Sequence, residues 1–260
     1  MSFTRLLTLI EPTFVTDGGK FDCGMSKIRR PRSFFPQCGD QGGHPSLAFS
    51  VLKTRPFFSV YNPEMTLLCL YRALVFLDFF LRENHSARIV IVNTHPEFTQ
   101  LTETAARLSQ QDCVKAHWVG GTLTNWPRVV RSIKTLHYFE RHYKPFLTRL
   151  QRPFPRLRKL KKAFQGYRDL EAFSSSQRSN PQNQRPDLLI LLNPEETQIA
   201  VREANYMQIP VIAIVNSESS CQKIAYPIPG NPKRLEFVYF CLNWLLKIQS
   251  FVTQASQQKK

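Results

Sequence analysis

Three short stretches of this 260-residue sequence hold residue types from which an active site could be built. They are Asn93-Thr94-His95-Pro96, Gly120-Gly121-Thr122 and Asn193-Pro194-Glu195-Glu196. A nucleotide site at the end of a strand needs a glycine-rich turn whose backbone amides cradle phosphates. The sequence has no Gly-x-Gly-x-x-Gly and no Gly-Lys-Ser/Thr. The Gly120-Gly121 pair fits a tight turn better than a phosphate cradle. Glu195 and Glu196 are adjacent, so they point in different directions and make a poor acid/base pair. Their expected role is to complement the positive end of a helix dipole. His137 and His142 are five apart, off a common helix face, and make a poor metal pair. His95 and His117 lie at strand ends and read as ordinary edge histidines. No Ser-His-Asp or Cys-His constellation assembles. The six cysteines, Cys23, Cys38, Cys69, Cys113, Cys221 and Cys241, form no Cys-x-x-Cys unit and read as free thiols in a reducing compartment. The expectation is a chain with no catalytic residues, no metal, no cofactor and no small-molecule substrate.

The chemistry that does stand out is charge. The formal net charge is +16 and the pI about 9.9, which favours a polyanionic partner. The surplus is concentrated. From Pro127 to Arg168 there are 13 Lys plus Arg and a single acid, Glu140. From Asp187 to Ser250 there are 5 bases and 6 acids. A solvated face normally mixes signs, whereas a run of one sign needs an external anion to relieve its self-repulsion. Aromatics are interleaved with the bases: Trp126, Tyr138, Phe139, Tyr143, Phe146, Phe154, Phe164 and Tyr167. They read as core of the basic segment rather than as platforms for bases. The candidate RNA-binding residues are Lys27, Arg29, Arg30 and Arg32 near the N-terminus and Arg128, Arg131, Lys134 and Arg149 further on. To these are added Arg152, Arg156, Arg158, Lys159, Lys161, Lys162 and Arg168.

The elements that position these residues follow from periodicity. Residues 1–45 hold six glycines, four prolines and the first basic cluster, and read as an extended arm. Met1 to Val15 lacks a small-residue cleavage site, so no secretory signal is read, although a targeting remnant is an alternative. Residues 46–126 form the first part of an α/β domain, with strands at 57–61, 88–92 and 114–118 and helices at 65–84 and from 94–97 to about 110. Met65–Leu81 is the most apolar stretch, but it holds Arg72 and Asp78 and is shorter than a membrane span needs. It reads as a buried helix, and no membrane partner is expected. Residues 127–172 break the rhythm and read as an inserted hairpin, with helices at 128–149 and 156–165. A Ser/Gln/Asn-rich linker covers 173–186. Residues 187–250 resume the α/β pattern. Strands are expected at 188–192 and 211–215, a helix opening at Asn193-Pro194 and ending near 208, and a last helix opening at Asn231-Pro232. Leu235, Val238, Leu242 and Leu245 mark the inner face of that last helix. Residues 251–260 are a polar tail. Alternating strands and helices imply a parallel sheet covered on both faces.

Three stretches carry a resemblance. His117-Trp118-Val119-Gly120-Gly121-Thr122-Leu123-Thr124-Asn125-Trp126 resembles the Arg-Trp-Leu-Gly-Gly-Thr-Leu-Thr-Asn-Phe signature of the small-subunit ribosomal protein S-two family. Arg185–Ile190 through Ile199–Ala204 is similar to that family's Pro-Asp and Ile-Ala-Val-x-Glu-Ala block. Ile209-Pro210-Val211 followed by Tyr226–Asn231 is similar to its second signature. The match covers about residues 57–250. It implies a flavodoxin-like parallel sheet with an inserted helical hairpin, and a structural, non-enzymatic role in the small ribosomal subunit. The implied partners are small-subunit rRNA and neighbouring ribosomal proteins. The family's Gly-x-His-x-Gly-His entry segment is not recognisable here. Its Val-Gly-Thr-Lys-Pro stands as Val92-Asn93-Thr94-His95-Pro96, and its Val-Asp-Thr as Val215-Asn216-Ser217. Such divergence with high basicity points to an organellar ribosome, in the mitochondrial matrix rather than the plastid. The competing classes are an α/β enzyme acting on nucleotide or RNA, which would need a phosphate site, and a free nucleic-acid-binding regulator, which would not sediment with ribosomal subunits.

Overall fold

The structure, a computed structural model, describes residues 50–55, 58–84, 87–149, 155–168, 185–217 and 219–257. The expected N-terminal arm with Lys27, Arg29, Arg30 and Arg32 lies outside the described residues, as do Arg152, Cys23, Cys38 and most of the linker.

The described chain opens with an antiparallel hairpin, β1 (Val51–Arg55) and β2 (Phe58–Tyr61). Helix α1 (Pro63–Glu83) follows at once. Its start is well specified: Asn62 is the N-cap, its side chain accepts from the Glu64 N–H, and Pro63 occupies the first turn. Strand β3 (Ile89–Val92) leads through a short 3-10 turn (Pro96–Phe98) to α2 (Thr99–Leu108), then to β4 (Asp112–Val114). Helices α3 (Trp126–Arg149) and α4 (Pro155–Phe164) form the basic hairpin. The second half is β5 (Leu188–Leu191), α5 (Gln198–Tyr206), β6 (Val211–Val215), β7 (Tyr226–Pro229) and α6 (Leu235–Gln257).

Strands β3 to β7 make one parallel sheet in the order β4-β3-β5-β6-β7, the flavodoxin-like order. Every residue of β3, β5 and β6 is buried, as befits strands covered on both faces. Val90, Val92, Leu189, Leu191, Val211 and Ala213 face a core made with α3, α5 and Phe164 of α4. The alternate residues face the other way, where α6 packs on both α1 and α2. The segment Leu235–Val252 of α6 is long and apolar enough to cross a membrane by length and composition, but Val238, Cys241, Leu242 and Leu245 are buried in this layer. Strand β7 is an edge. Pro227 and Pro229 are two residues apart, so their missing N–H groups share one side, while Gly230 donates to the Val215 carbonyl at 3.0 Å. An edge built this way cannot recruit a further strand.

Several boundaries differ from the sequence expectation, each for a physical reason. The strand expected at 114–118 lies at 112–114, because Asp112 is a buried anchor rather than a loop residue. Asn193-Pro194 and Asn231-Pro232 open turns, and the helices begin only at Gln198 and Leu235. Leu235 is exposed and does not belong to the inner face of α6. Helices α2 and α5 both end on a glutamine with positive φ, Gln110 (52°) and Gln208 (56°). In each case the next N–H returns to the helix, Gln111 to Ala106 at 2.9 Å and Ile209 to Ala204 at 2.8 Å. Cys69, Cys113, Cys221 and Cys241 are free thiols. Burial pushes the Cys113 thiol up to about 11.

Beyond α4 the chain returns along the outer edge of β4, where the Gly166 carbonyl accepts from Cys113 N–H at 3.0 Å. A Cβ at Gly166 would sit 2.0 Å from the Cys113 carbonyl oxygen, a backbone atom that cannot step aside. Gly166→Ala is therefore expected to cost about 1–3 kcal/mol of stability or more, as overpacking does. Urea unfolding checks this. An unchanged midpoint would show that the return segment is not held against β4.

Candidate nucleic-acid interface

Two buried carboxylates fix where the basic hairpin leaves the sheet and where it rejoins it. The exit is the loop from Lys115 to Asn125. Trp118 and Leu123 are buried, and Gly121 has φ 87°, a left-handed conformation that glycine takes without strain. Glu203, buried on α5, binds the loop from beneath. Its Oε1 accepts from Gly121 N–H at 2.7 Å and from the Trp118 indole N–H at 3.5 Å, and its Oε2 accepts from Leu123 N–H at 2.9 Å. In the sequence Glu203 stands out only as part of a motif. The signal for its role is an acid set between Ala200 and Ala204 on the inner face of an amphipathic helix.

The return is held by Asp112, which is fully buried. Its Oδ1 accepts from the Arg168 backbone N–H at 2.9 Å and from Arg168 Nε at 3.4 Å. Its Oδ2 accepts from Arg88 Nε. The Arg88 guanidinium also lies 5.3 Å from the centroid of the Trp126 ring, at the first residue of α3. Both ends of the hairpin thus meet the same charge network. Arg88 and Asp187 exchange hydrogen bonds as well: Arg88 N–H donates to Asp187 Oδ2 at 2.8 Å, and Asp187 N–H to the Arg88 carbonyl at 2.8 Å. This seats the start of β5 beside β3.

Helix α3 has two faces. Trp126, Val129, Val130, Ile133 and Leu136 are buried at helical spacing against the sheet. Each such side chain contributes roughly 1.5–3 kcal/mol of transfer free energy over exposure. The opposite face carries Arg128, Arg131 and Lys134, all exposed. On α4, Leu157, Leu160, Ala163 and Phe164 turn inward, while Arg156, Arg158, Lys159, Lys161 and Lys162 are exposed. The one acid of the segment, Glu140, is 4.0 Å from Lys161. Among the described residues, Arg128, Arg131, Lys134, Arg156, Arg158, Lys159 and Lys162 have no carboxylate within ion-pair distance. Arg168 differs from these because its guanidinium is engaged with Asp112. Arg149 ends α3, and its side chain lies outside the described residues, as does that of Phe146. The aromatics divide. Trp126, Phe164 and Tyr167 are buried as expected, but Tyr138 and Tyr143 are exposed, contrary to a core reading.

At the strand ends, where open α/β sheets bind ligands, side chains bond to their own and neighbouring loops. Asn93 Oδ1 accepts from His95 N–H at 2.9 Å and its amide donates to the His95 carbonyl at 2.8 Å. The Tyr61 hydroxyl donates to Asn216 Oδ1 at 2.8 Å and accepts from Ser217 N–H at 2.6 Å. Glu195 accepts from the Ser219 hydroxyl at 2.7 Å, and Glu196 from the Thr94 hydroxyl. The two glutamates thus stitch strand-end loops together and do not sit in the first turn of a helix, a correction to their expected dipole role. His137 Nε2 lies 2.9 Å from the Tyr167 carbonyl and His142 Nδ1 3.0 Å from that of Tyr138. The His95 ring packs on Phe98, and His117 is exposed. Among the described residues no group of three His, Cys, Asp or Glu is placed to hold a metal ion.

Residues 43–249 match the family described as Ribosomal protein S2. The chain belongs to this family. It is similar to "Small ribosomal subunit protein uS2m" of Marchantia polymorpha, the mitochondrial form, at 28% identity over 208 residues, covering 78% of this chain and 81% of the relative. "Small ribosomal subunit protein uS2" of Dictyoglomus thermophilum is 30% identical over 196 residues, covering 72% and 73%. That of Tolumonas auensis is 30% identical over 215 residues, covering 80% and 85%. As a member of this family the chain is a structural constituent of the small ribosomal subunit and not an enzyme. The loop signature around Gly120-Gly121 and the Glu203-Ala204 motif, far apart in sequence, meet in one hydrogen-bonded unit.

Glu203→Ala strands the donors of Gly121, Leu123 and Trp118. A buried donor left unpaired costs about 1–3 kcal/mol, so the expected loss is about 3 kcal/mol, and the amides of Gly121 and Leu123 should lose hydrogen-exchange protection. Protection equal to that of the unaltered chain would show that the loop holds without Glu203.

Proposed function

We propose that the hairpin is the principal rRNA-binding surface of this S2-family protein, and that the protein works in a mitochondrial small ribosomal subunit. One observation carries the reading: the exposed bases of α3 and α4 share their outer faces with almost no acid, Glu140 alone, while the second half of the sheet is nearly neutral. Bases so placed neutralise phosphates and release counterions, which gives affinity without reading sequence. Arg128, Arg131 and Lys134 line one face, and Arg156, Arg158, Lys159, Lys161 and Lys162 the other. Arg149, Arg152 and the arm residues Lys27, Arg29, Arg30 and Arg32 extend the same surplus along the chain. Arg168 serves the fold through Asp112. The sheet is the scaffold, and neighbouring ribosomal proteins are its remaining partners. Similarity to the Marchantia uS2m and the high basicity support the mitochondrion over the plastid.

Arg156, Arg158, Lys159 and Lys162 are exposed, so reversing all four to Glu should leave thermal unfolding nearly unchanged. It should also reduce co-sedimentation with mitochondrial small subunits in sucrose gradients and make binding fail at lower salt. For every phosphate that the variant no longer neutralises, the slope of log K against log salt should flatten by about 0.9. Full incorporation with an unchanged slope would sink the hairpin as anchor.

A further inference from the structure

The geometry points to a nucleotide-stacking site on the outer face of α3, where the Tyr138 and His142 rings take an unpaired base of RNA and the surrounding cations hold its phosphates. This rests on reading the hairpin as an RNA interface and adds to it a contact with a base, where the basic side chains of the hairpin contact phosphates. The buried stripe of α3 stops at Leu136, and the next residues with described side chains, His137 to Tyr143, include none that is buried. Tyr138 is 53% exposed and Tyr143 43%. Tyr138 is not loose. Its ring centroid is 4.4 Å from that of His142 at 31°, and His142 Nδ1 is fixed 3.0 Å from the Tyr138 carbonyl. Phe139, half-buried, meets Tyr138 edge-on at 6.2 Å and Tyr143 at 5.5 Å. A preformed pair of rings at the surface of a helix can receive a base with little ordering cost.

What surrounds the rings selects the partner. Arg131 and Lys134 lie seven and four residues before Tyr138, on the same helical face, and both are exposed. Glu140 points away toward Lys161 on α4. A protein neighbour covering the rings would have to bury these two cations or supply a carboxylate to each, and the cores of protein interfaces are poor in charge. A single-stranded nucleotide satisfies both features at once, with its base on the rings and its phosphates on the cations.

The test uses the full chain and a transcript of the small-subunit rRNA. Tyr138→Ala should lower affinity about five- to 150-fold, the range expected when one base stack is removed. The slope of log K against log salt should not change, since the variant neutralises the same phosphates. Tyr138→Phe and Tyr138→Trp should keep near-full affinity. Lys134→Gln should behave differently, flattening the slope by about 0.7, the single-strand value. Ultraviolet cross-linking in assembled subunits should join the peptide holding Tyr138 to an rRNA nucleotide. If Tyr138→Ala binds normally while Lys134→Gln flattens the slope, the stacking site is wrong and the phosphate interface stands. If neither variant changes binding, both readings fall. A cross-link from Tyr138 to a ribosomal protein alone would make the patch a protein-docking site and overturn the proposal.

Discussion

The buried carboxylate of Asp112 is the constraint on which the rest of the molecule depends. It sits at the first residue of β4 and receives Arg88 from the start of β3 and Arg168 from the end of the hairpin. Placing these charges in the interior carries a desolvation penalty, and a buried ion pair is often no more stabilising than apolar residues of the same volume. Its value lies in what it excludes. A chain slipped by one residue at β4 would turn Asp112 away from both guanidiniums and leave charges buried without partners, at roughly 3–5 kcal/mol. The short strand Asp112–Val114 has little hydrophobic pattern with which to set its own register. The ion network supplies what the pattern lacks.

From that anchor the hairpin can be highly charged without unfolding the domain. Its bases repel one another, but they are exposed and screened over about 10 Å at ordinary salt. The inner stripe of α3, from Trp126 to Leu136, is buried in the same core as β3 and β5. Apolar burial at the root therefore outweighs screened repulsion at the surface. Helix α3 is 24 residues long, about 36 Å, and among its described side chains the buried stripe stops at Leu136. Past it, Tyr138, Arg141, His142 and Tyr143 are exposed. Glu203 completes the arrangement at the other end by holding the Gly121 turn from which α3 departs.

Much of this is legible in the sequence. The β-branched and leucine runs at Ile89–Val92, Leu188–Leu191 and Val211–Val215 have the composition of strands buried on both faces, and that is what they form. The concentration of bases after Pro127 locates the hairpin, and its helices fall close to where the pattern puts them. What is not legible depends on long-range contacts. Asp112 looks like a breaker until Arg88 and Arg168 are beside it. Asn193-Pro194 and Asn231-Pro232 carry the local chemistry of helix starts, but at the first of these sites Glu195 and Glu196 are drawn to Ser219 and Thr94 instead. Gln110 and Gln208 end helices in a conformation for which glycine is the usual signal. Tyr138 reads as core because aromatics usually pack there, and only the end of the buried stripe at Leu136 shows that it does not.

The side chains at the strand ends bond largely to one another's loops. In a sheet of this order the loops after β3 and β5 diverge and leave a crevice that nucleotide-binding members fill. Here Asn93, Thr94, Tyr61 and Ser219 direct their hydrogen bonds to their own loops and to Glu195, Glu196 and Asn216. Among the described residues no glycine turn opens a backbone cradle between them. Fold class alone does not locate function, and in this chain the concentrated charge lies on the insertion and not at the strand ends.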